Sequence, residues 1–121
     1  QFESPFFVTM YPTKIKAFYV KSCEDNEDLC YSADMMAPEG YGEITTGGQR
    51  EERIDVLVKR IRREGFDPEN YYWYLDLRRY GSVPHSGFGL GIERTLMWLL
   101  KLEHIRDTVP FPRLARRKSL V

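Results

Sequence analysis

Residues that build metal centres and disulfide frameworks are scarce in this chain. Two cysteines, Cys23 and Cys30, and two histidines, His85 and His104, are spread over 121 residues. A polar, acidic stretch separates the cysteines and no second pair completes a zinc site, so they read as reduced thiols flanking a hairpin. Neither histidine stands at ligand spacing. An excess of either charge is lacking too: 18 Lys and Arg balance 18 Asp and Glu. No bulk field recruits a polyanion, and any nucleic-acid contact must come from local patches. No apolar run approaches the ~18 residues of a membrane span, and the start carries no signal-peptide pattern. These absences lead us to expect a cytoplasmic protein with no membrane partner. Internal repeats and linker-like stretches are also missing.

What is present supports one domain with a real core, since 42% of residues are hydrophobic and 14% aromatic. Alternation predicts a strand over 6–11, stopped by Pro12, and a second over 17–21. The acidic run 24–28 reads as a solvated turn, lacking the glycine and terminal glutamate of a calcium loop. A partner strand over 29–36, a turn at 38–42 and a strand over 43–48 follow. From Glu51 the period changes: Ile54, Leu57, Val58 and Ile61 share one face of a helix that ends at Gly65. Asp67 and Pro68 open a second helix, with a cap and a proline at the first helical position. A turn at 81–84, a strand over 88–91 and a helix over 92–103 complete the pattern. The predicted fold class is α+β, an antiparallel sheet with helices on one face. Gln1 opens directly onto a strand, which reads as a cut from a longer chain.

Two constellations carry chemistry. The first is the alternation Gly87, Gly89, Gly91 followed by Arg94 in the first turn of an apolar helix. An arginine at a helix start is mildly unfavourable unless an anion sits there, so Arg94 points to a phosphate. The run lacks the lysine and hydroxyl of a P-loop and the alternating strands and helices of a dinucleotide fold. Close packing of a helix on a strand would satisfy the same glycines. The second constellation is Asp34, Glu43, Thr46 and Arg50. Neighbouring strands let Asp34 and Glu43 face one another, and two carboxylates with a hydroxyl suit magnesium. Solvated turn-edge residues are the alternative. Gly47 and Gly48 favour a site, because strand glycines mark the close approach of a ligand or another backbone. Arg50 offers a planar fork to a carboxylate or amide, or a surface salt bridge to Glu51 or Glu52.

Residues 89–94, Gly-Leu-Gly-Ile-Glu-Arg, resemble motif 3 of the class II aminoacyl-tRNA synthetases. Residues 80–91, 104–107 and 110–113 extend the resemblance to the aspartyl/asparaginyl subgroup over nearly the whole chain. Lys16 to Tyr19, Tyr72 to Tyr74, and Met97 with Trp98 lean toward the asparaginyl branch. The resemblance implies the C-terminal portion of a class II catalytic core over 1–113 and a basic tail over 114–121. It implies that Arg94 contacts ATP, that Gly89 and Gly91 leave room for the nucleotide, and that Glu43 holds Mg2+ with Thr46 and Asp34 beside it. Arg50 would hold the side-chain end of the amino acid. Asparagine, ATP and tRNA are the implied partners, in a homodimer of the full-length protein. Aspartate as the amino acid, serving one or both tRNAs, and a synthetase-like paralogue or fragment without charging activity are the alternatives. Motif 1, motif 2 and the anticodon-binding domain normally precede this part, so the segment alone is expected to bind ATP weakly and not to charge tRNA.

Overall fold

The computed structural model describes residues 2–113; the basic tail at 114–121 lies outside the described residues. Four strands, β1 (Phe6–Thr9), β2 (Ser32–Ala37), β3 (Gly42–Gln49) and β4 (Ser86–Leu90), form one antiparallel sheet in the order β1-β2-β3-β4. Three helices accompany it, α1 (Ile54–Arg63), α2 (Tyr72–Arg79) and α3 (Ile92–Leu99). Among the described residues no helix is long and apolar enough to cross a membrane.

Several elements are shorter than alternation predicts. Strand β1 stops at Thr9 because Met10 takes a left-handed backbone conformation, φ 58°, which cannot continue a ladder. The strand expected over 17–21 is reduced to isolated bridges, Val20 with Arg50 and Ser22 with Cys30, following a 3-10 turn at Thr13–Ile15. The second helix begins as a 3-10 turn, Pro68–Tyr71, whose Asp67 carboxylate accepts from the Glu69 N–H at 3.0 Å. The last helix ends at Leu99 rather than 103. Helix α1 finishes as expected, with Gly65 at φ 82° just beyond it.

The helices do not all lie on the sheet. The principal apolar cluster is Phe18, Leu57, Ile61 and Leu75, with Tyr19, Val58, Tyr71 and Tyr74 packed against it. It is closed by α1, α2 and the segment before β2, and it contains no strand residue. Edge-to-face rings at 5.2 Å (Phe18 and Tyr71) and 6.0 Å (Phe18 and Tyr74) fill it. Buried Glu51 ties this cluster to the end of β3. Its N–H donates to Tyr19 O at 2.9 Å, its O accepts from Arg78 Nε at 3.2 Å, and its carboxylate is clasped by Arg53 at 2.9 and 3.1 Å. Cys23 and Cys30 are both buried free thiols.

Among the described residues nothing covers one face of the sheet. Phe7, Met35, Thr45, Phe88 and Leu90 line an apolar groove of about 860 Å3 there. The opposite face carries the charged residues.

Candidate functional site

Cross-strand pairing decides which side chains share that opposite face. Val8, Asp34, Thr46 and Gly89 lie in one row across all four strands, and directly opposed residues project to the same side. Glu43 would fall on the apolar face by simple alternation from Thr46. A register shift between Met35 and Met36 leaves Ile44 without a partner and sets Glu43 opposite Met36. Met36 has the parity of Asp34, so the bulge returns Glu43 to the charged face. The expected facing of Asp34 and Glu43 is therefore not what the pairing gives. Asp34 faces Thr46, and Glu43 stands one bulge further along.

The glycines have distinct jobs. A Cβ on Gly48 would come within 2.7 Å of Tyr31 O, and one on Gly47 within 2.9 Å of Phe88 Cβ and 3.0 Å of Gly87 O. Both mark the approach of neighbouring strands. A Cβ on Gly87 would reach 2.9 Å from the Arg50 guanidinium, and one on Gly91 would meet the Arg94 side chain at 3.2 Å. Gly91 thus makes room for Arg94, where the resemblance implied room for nucleotide. Only at Gly89, among these five, would a Cβ meet nothing within 4 Å. The open floor is a single residue wide on β4, beside Thr46.

An arginine stands at each end of this floor. Arg50 has its guanidinium 4.8 Å from the Tyr19 ring centroid, and its N–H donates to His85 O at 2.8 Å. The salt bridge to Glu51 or Glu52 does not form: Glu51 is taken by Arg53 and Glu52 by Lys21 at 2.8 Å. Arg94 is exposed and donates to the backbone O of Glu43 at 3.2 Å. Neither arginine has a carboxylate partner among the described residues, so each fork remains available to an anion or amide. From Gly87 to Gly91 an extended strand covers about 13 Å, which separates an Arg50 end from an Arg94 end.

The acidic residues differ in availability. Asp34 is buried, with Lys16 Nζ 2.5 Å from Oδ2 and the Thr46 hydroxyl donating to Oδ1 at 2.6 Å. Burial alone would push its pKa up, but the Lys16 and Thr46 hydrogen bonds outweigh it and hold the carboxyl below its ordinary range. Tyr11 closes the cluster, its ring 4.2 Å from Lys16 Nζ, and its phenol is pushed up by burial and by the Asp34 charge. Sequence reasoning missed Lys16 and Tyr11 as site residues, because nothing in their spacing marks a lysine folded back under a sheet. The Glu43 carboxylate makes no hydrogen bond or ion pair among the described residues. No three His, Cys, Asp or Glu side chains there are grouped closely enough to share an ion. The donor set fits magnesium that takes most of its ligands from phosphate and water, with Glu43 as the protein's carboxylate. It does not fit a cage built by the protein alone.

Comparison with known proteins adds independent findings. A family model described as tRNA synthetases class II (D, K and N) matches residues 1–115. Asparagine-tRNA ligase of Thermococcus kodakarensis is 60% identical over 117 residues, covering 97% of this chain and 27% of that protein. The chain superimposes with a TM-score of 0.93 on the crystal structure of asparaginyl-tRNA synthetase from Pyrococcus horikoshii complexed with asparaginyl-adenylate. That match has 59% identity and covers 96% of this chain and 27% of the other. Aspartyl tRNA synthetase from Entamoeba histolytica matches with a TM-score of 0.86 and 33% identity, covering 95% of this chain and 23% of the other. The chain thus spans little more than a quarter of the curated relatives it matches.

Proposed function

The chain belongs to the class II tRNA synthetases of the aspartate, lysine and asparagine group, and we propose that it forms part of the ATP and amino-acid site of an asparagine-tRNA ligase. The observation that carries this reading is the open floor at Gly89 between two arginines without carboxylate partners. A nucleotide laid over Gly89 meets backbone alone, Arg94 neutralises its phosphate charge, and Arg50 offers donors to the side-chain amide of asparagine. Asparagine is preferred over aspartate because asparaginyl relatives are 43–60% identical to this chain over the matched span and the aspartyl structure is 33% identical.

In the reaction, the amino-acid carboxylate attacks the α-phosphorus of ATP and pyrophosphate leaves. A terminal hydroxyl of tRNA then attacks the carbonyl carbon of the adenylate and releases AMP. Neither step needs a protein nucleophile, and the face holds no paired nucleophile and base among the named residues. Catalysis is positioning and charge neutralisation in a preorganised site. Mg2+, when bound beside Glu43, supplies positive charge to the phosphate oxygens; Thr46 and Asp34 border that position. ATP, asparagine and tRNA are the proposed substrates. The proposed setting is a homodimer of the longer protein in the cytoplasm.

The test is ATP–pyrophosphate exchange by the full-length protein with each amino acid in turn. Exchange driven by asparagine and abolished by Arg94→Ala supports the reading. Exchange driven by aspartate but not asparagine removes the amino-acid assignment, and none with either removes the enzyme reading.

A further inference from the structure

A small cationic pocket lies between α1 and the 3-10 turn at Thr13–Ile15. Helix α1 buries Leu57 and Ile61. The positions leading away from that face are basic: Arg60, then Arg63 at i+3 from it, then Lys59 one turn before Arg63. Thr13, Lys14, Arg60, Arg63 and Glu64 line a cavity of about 180 Å3. Sites for drug-sized ligands run to about 300–1,000 Å3, so this one suits a group as small as a phosphate. Arg60 is half-buried, and its guanidinium donates to Val20 O and, at 3.2 Å, to Ala17 O. Two carbonyls fix the fork without neutralising it, and the other N–H donors of an arginine find no partner among the described residues. Lys14, Lys59, Arg60 and Arg63 have no carboxylate within ion-pair distance among those residues either. Burial pulls the Arg60 pKa down, Glu64 opposes that and Arg63 adds to it. A cation held in this way gains from an arriving anion.

We propose that this pocket holds a backbone phosphate of RNA, with Lys14, Arg60 and Arg63 as its donors and Lys59 next along α1. Three cations around one small cavity repel each other, and a phosphate among them relieves that repulsion. Arginine forks and lysine point charges both suit phosphate oxygens. The acidic turn bounds the pocket on one side. The Thr13 hydroxyl donates to Glu27 O at 2.8 Å and its N–H to Asp28 O at 2.7 Å. Thr13 therefore brings no free proton to the anion, and the carboxylates of Glu27, Asp28 and Glu64 turn a polyanion toward the basic side of α1. RNA is favoured over a free phosphate by where the pocket's wall leads. The segment over 13–20 gives Lys14 to the pocket, Lys16 to Asp34 and the Tyr19 ring to the Arg50 guanidinium. One short stretch of chain thus borders both the pocket and the amino-acid end of the site. A polyanion that carries its terminal hydroxyl to that end passes Lys14. Lysines and arginines are balanced by acids over the whole chain, so RNA has to be drawn by a local patch of this kind. The choice of RNA rests on the function proposed above; the cationic pocket does not.

The full-length protein is titrated with asparagine tRNA at several KCl concentrations, read by filter binding. Lys14→Ala combined with Arg63→Ala removes two exposed cations that make no side-chain hydrogen bond among the described residues, so folding is spared. Arg60 stays in place because it ties α1 to Val20 and Ala17. The double variant should raise the tRNA dissociation constant about five- to tenfold and reduce the slope of log affinity against log salt by about 1–2. ATP–pyrophosphate exchange, which needs no tRNA, should match the wild type. Lys14→Arg combined with Arg63→Lys keeps both charges and should keep the wild-type salt slope. Unchanged affinity and slope in the double alanine variant would overturn the proposal. An equal loss from Arg79→Ala combined with Lys101→Ala, two cations paired elsewhere on the surface, would also overturn it, because bulk charge alone would then be at work. Saturable binding of inorganic pyrophosphate that the double variant loses while tRNA binding persists would give the pocket to a free phosphate and overturn the RNA assignment. Absence of ATP–pyrophosphate exchange in the wild type would instead count against the function proposed above, while the salt slope with RNA would still decide the role of the pocket.

Discussion

Gly89→Ala should move stability and nucleotide binding in opposite directions. The added methyl group meets nothing within 4 Å, and the position is an extended residue of β4 paired with Thr46. With no clash to absorb, the change removes the conformational freedom of a strand glycine and should stabilise the fold by about 0.5–1 kcal/mol. The same methyl projects into the space assigned to ATP. Forcing a methylene-sized group into a fitted contact costs about 1–3 kcal/mol, which corresponds to a nucleotide dissociation constant raised about five- to a hundredfold at about 1.4 kcal/mol per decade. Urea denaturation measures the first effect, and ATP titration by calorimetry on the protein with its complete nucleotide site measures the second. Gly48→Ala is the control: its Cβ would lie 2.7 Å from the backbone Tyr31 O, so it should lose stability. Unchanged ATP affinity in Gly89→Ala would refute the placement of nucleotide over this strand. A loss of stability would show that the space above Gly89 is not open.

Two further outcomes follow from burial and charge. Leu57 is 0% exposed in the principal cluster, and Leu57→Ala should cost about 2–5 kcal/mol in urea denaturation; a cost under about 1 kcal/mol would mean that this cluster does not carry the fold. Asp34 and Glu51 are both held below the ordinary carboxylate range. In each, burial acting upward is outweighed, at Asp34 by Lys16 and Thr46 and at Glu51 by Arg53. A depressed folded pKa gives stability that is present above the unfolded value, near about 4, and is lost as pH falls through the folded one. The urea midpoint should therefore decline as the pH is lowered from about 5 through the carboxylate range, and Asp34→Asn should flatten that decline. An unchanged slope in Asp34→Asn would show that the Lys16 pair does not discriminate between folded and unfolded states.

Local rules made much of this chain legible. The apolar period of α1, the Asp67 and Pro68 start, the left-handed Gly65 and the turn at 38–42 depend on neighbouring residues, and each lies where the pattern puts it. The segment over 17–21 failed for a tertiary reason. Phe18 is drawn into the cluster with Leu57 and Leu75, and only Val20 keeps a bridge to Arg50. The alternation predicts a strand, whereas Phe18 is buried by a helix pair and not by a sheet.

The sequence by itself determined the α+β composition, the glycine-and-arginine signature and the set of polar residues from which a site could be built, because these follow from residue type and short-range spacing. Tertiary structure alone decided how they are used. A one-residue bulge at Ile44 chose the face that Glu43 shares, a lysine 18 positions away in sequence took possession of Asp34, and the packing around each glycine left only Gly89 open of the five near the site. Strand register reverses with a shift of a single residue, and an ion pair depends on where distant backbone lies, so neither quantity is written in any local pattern.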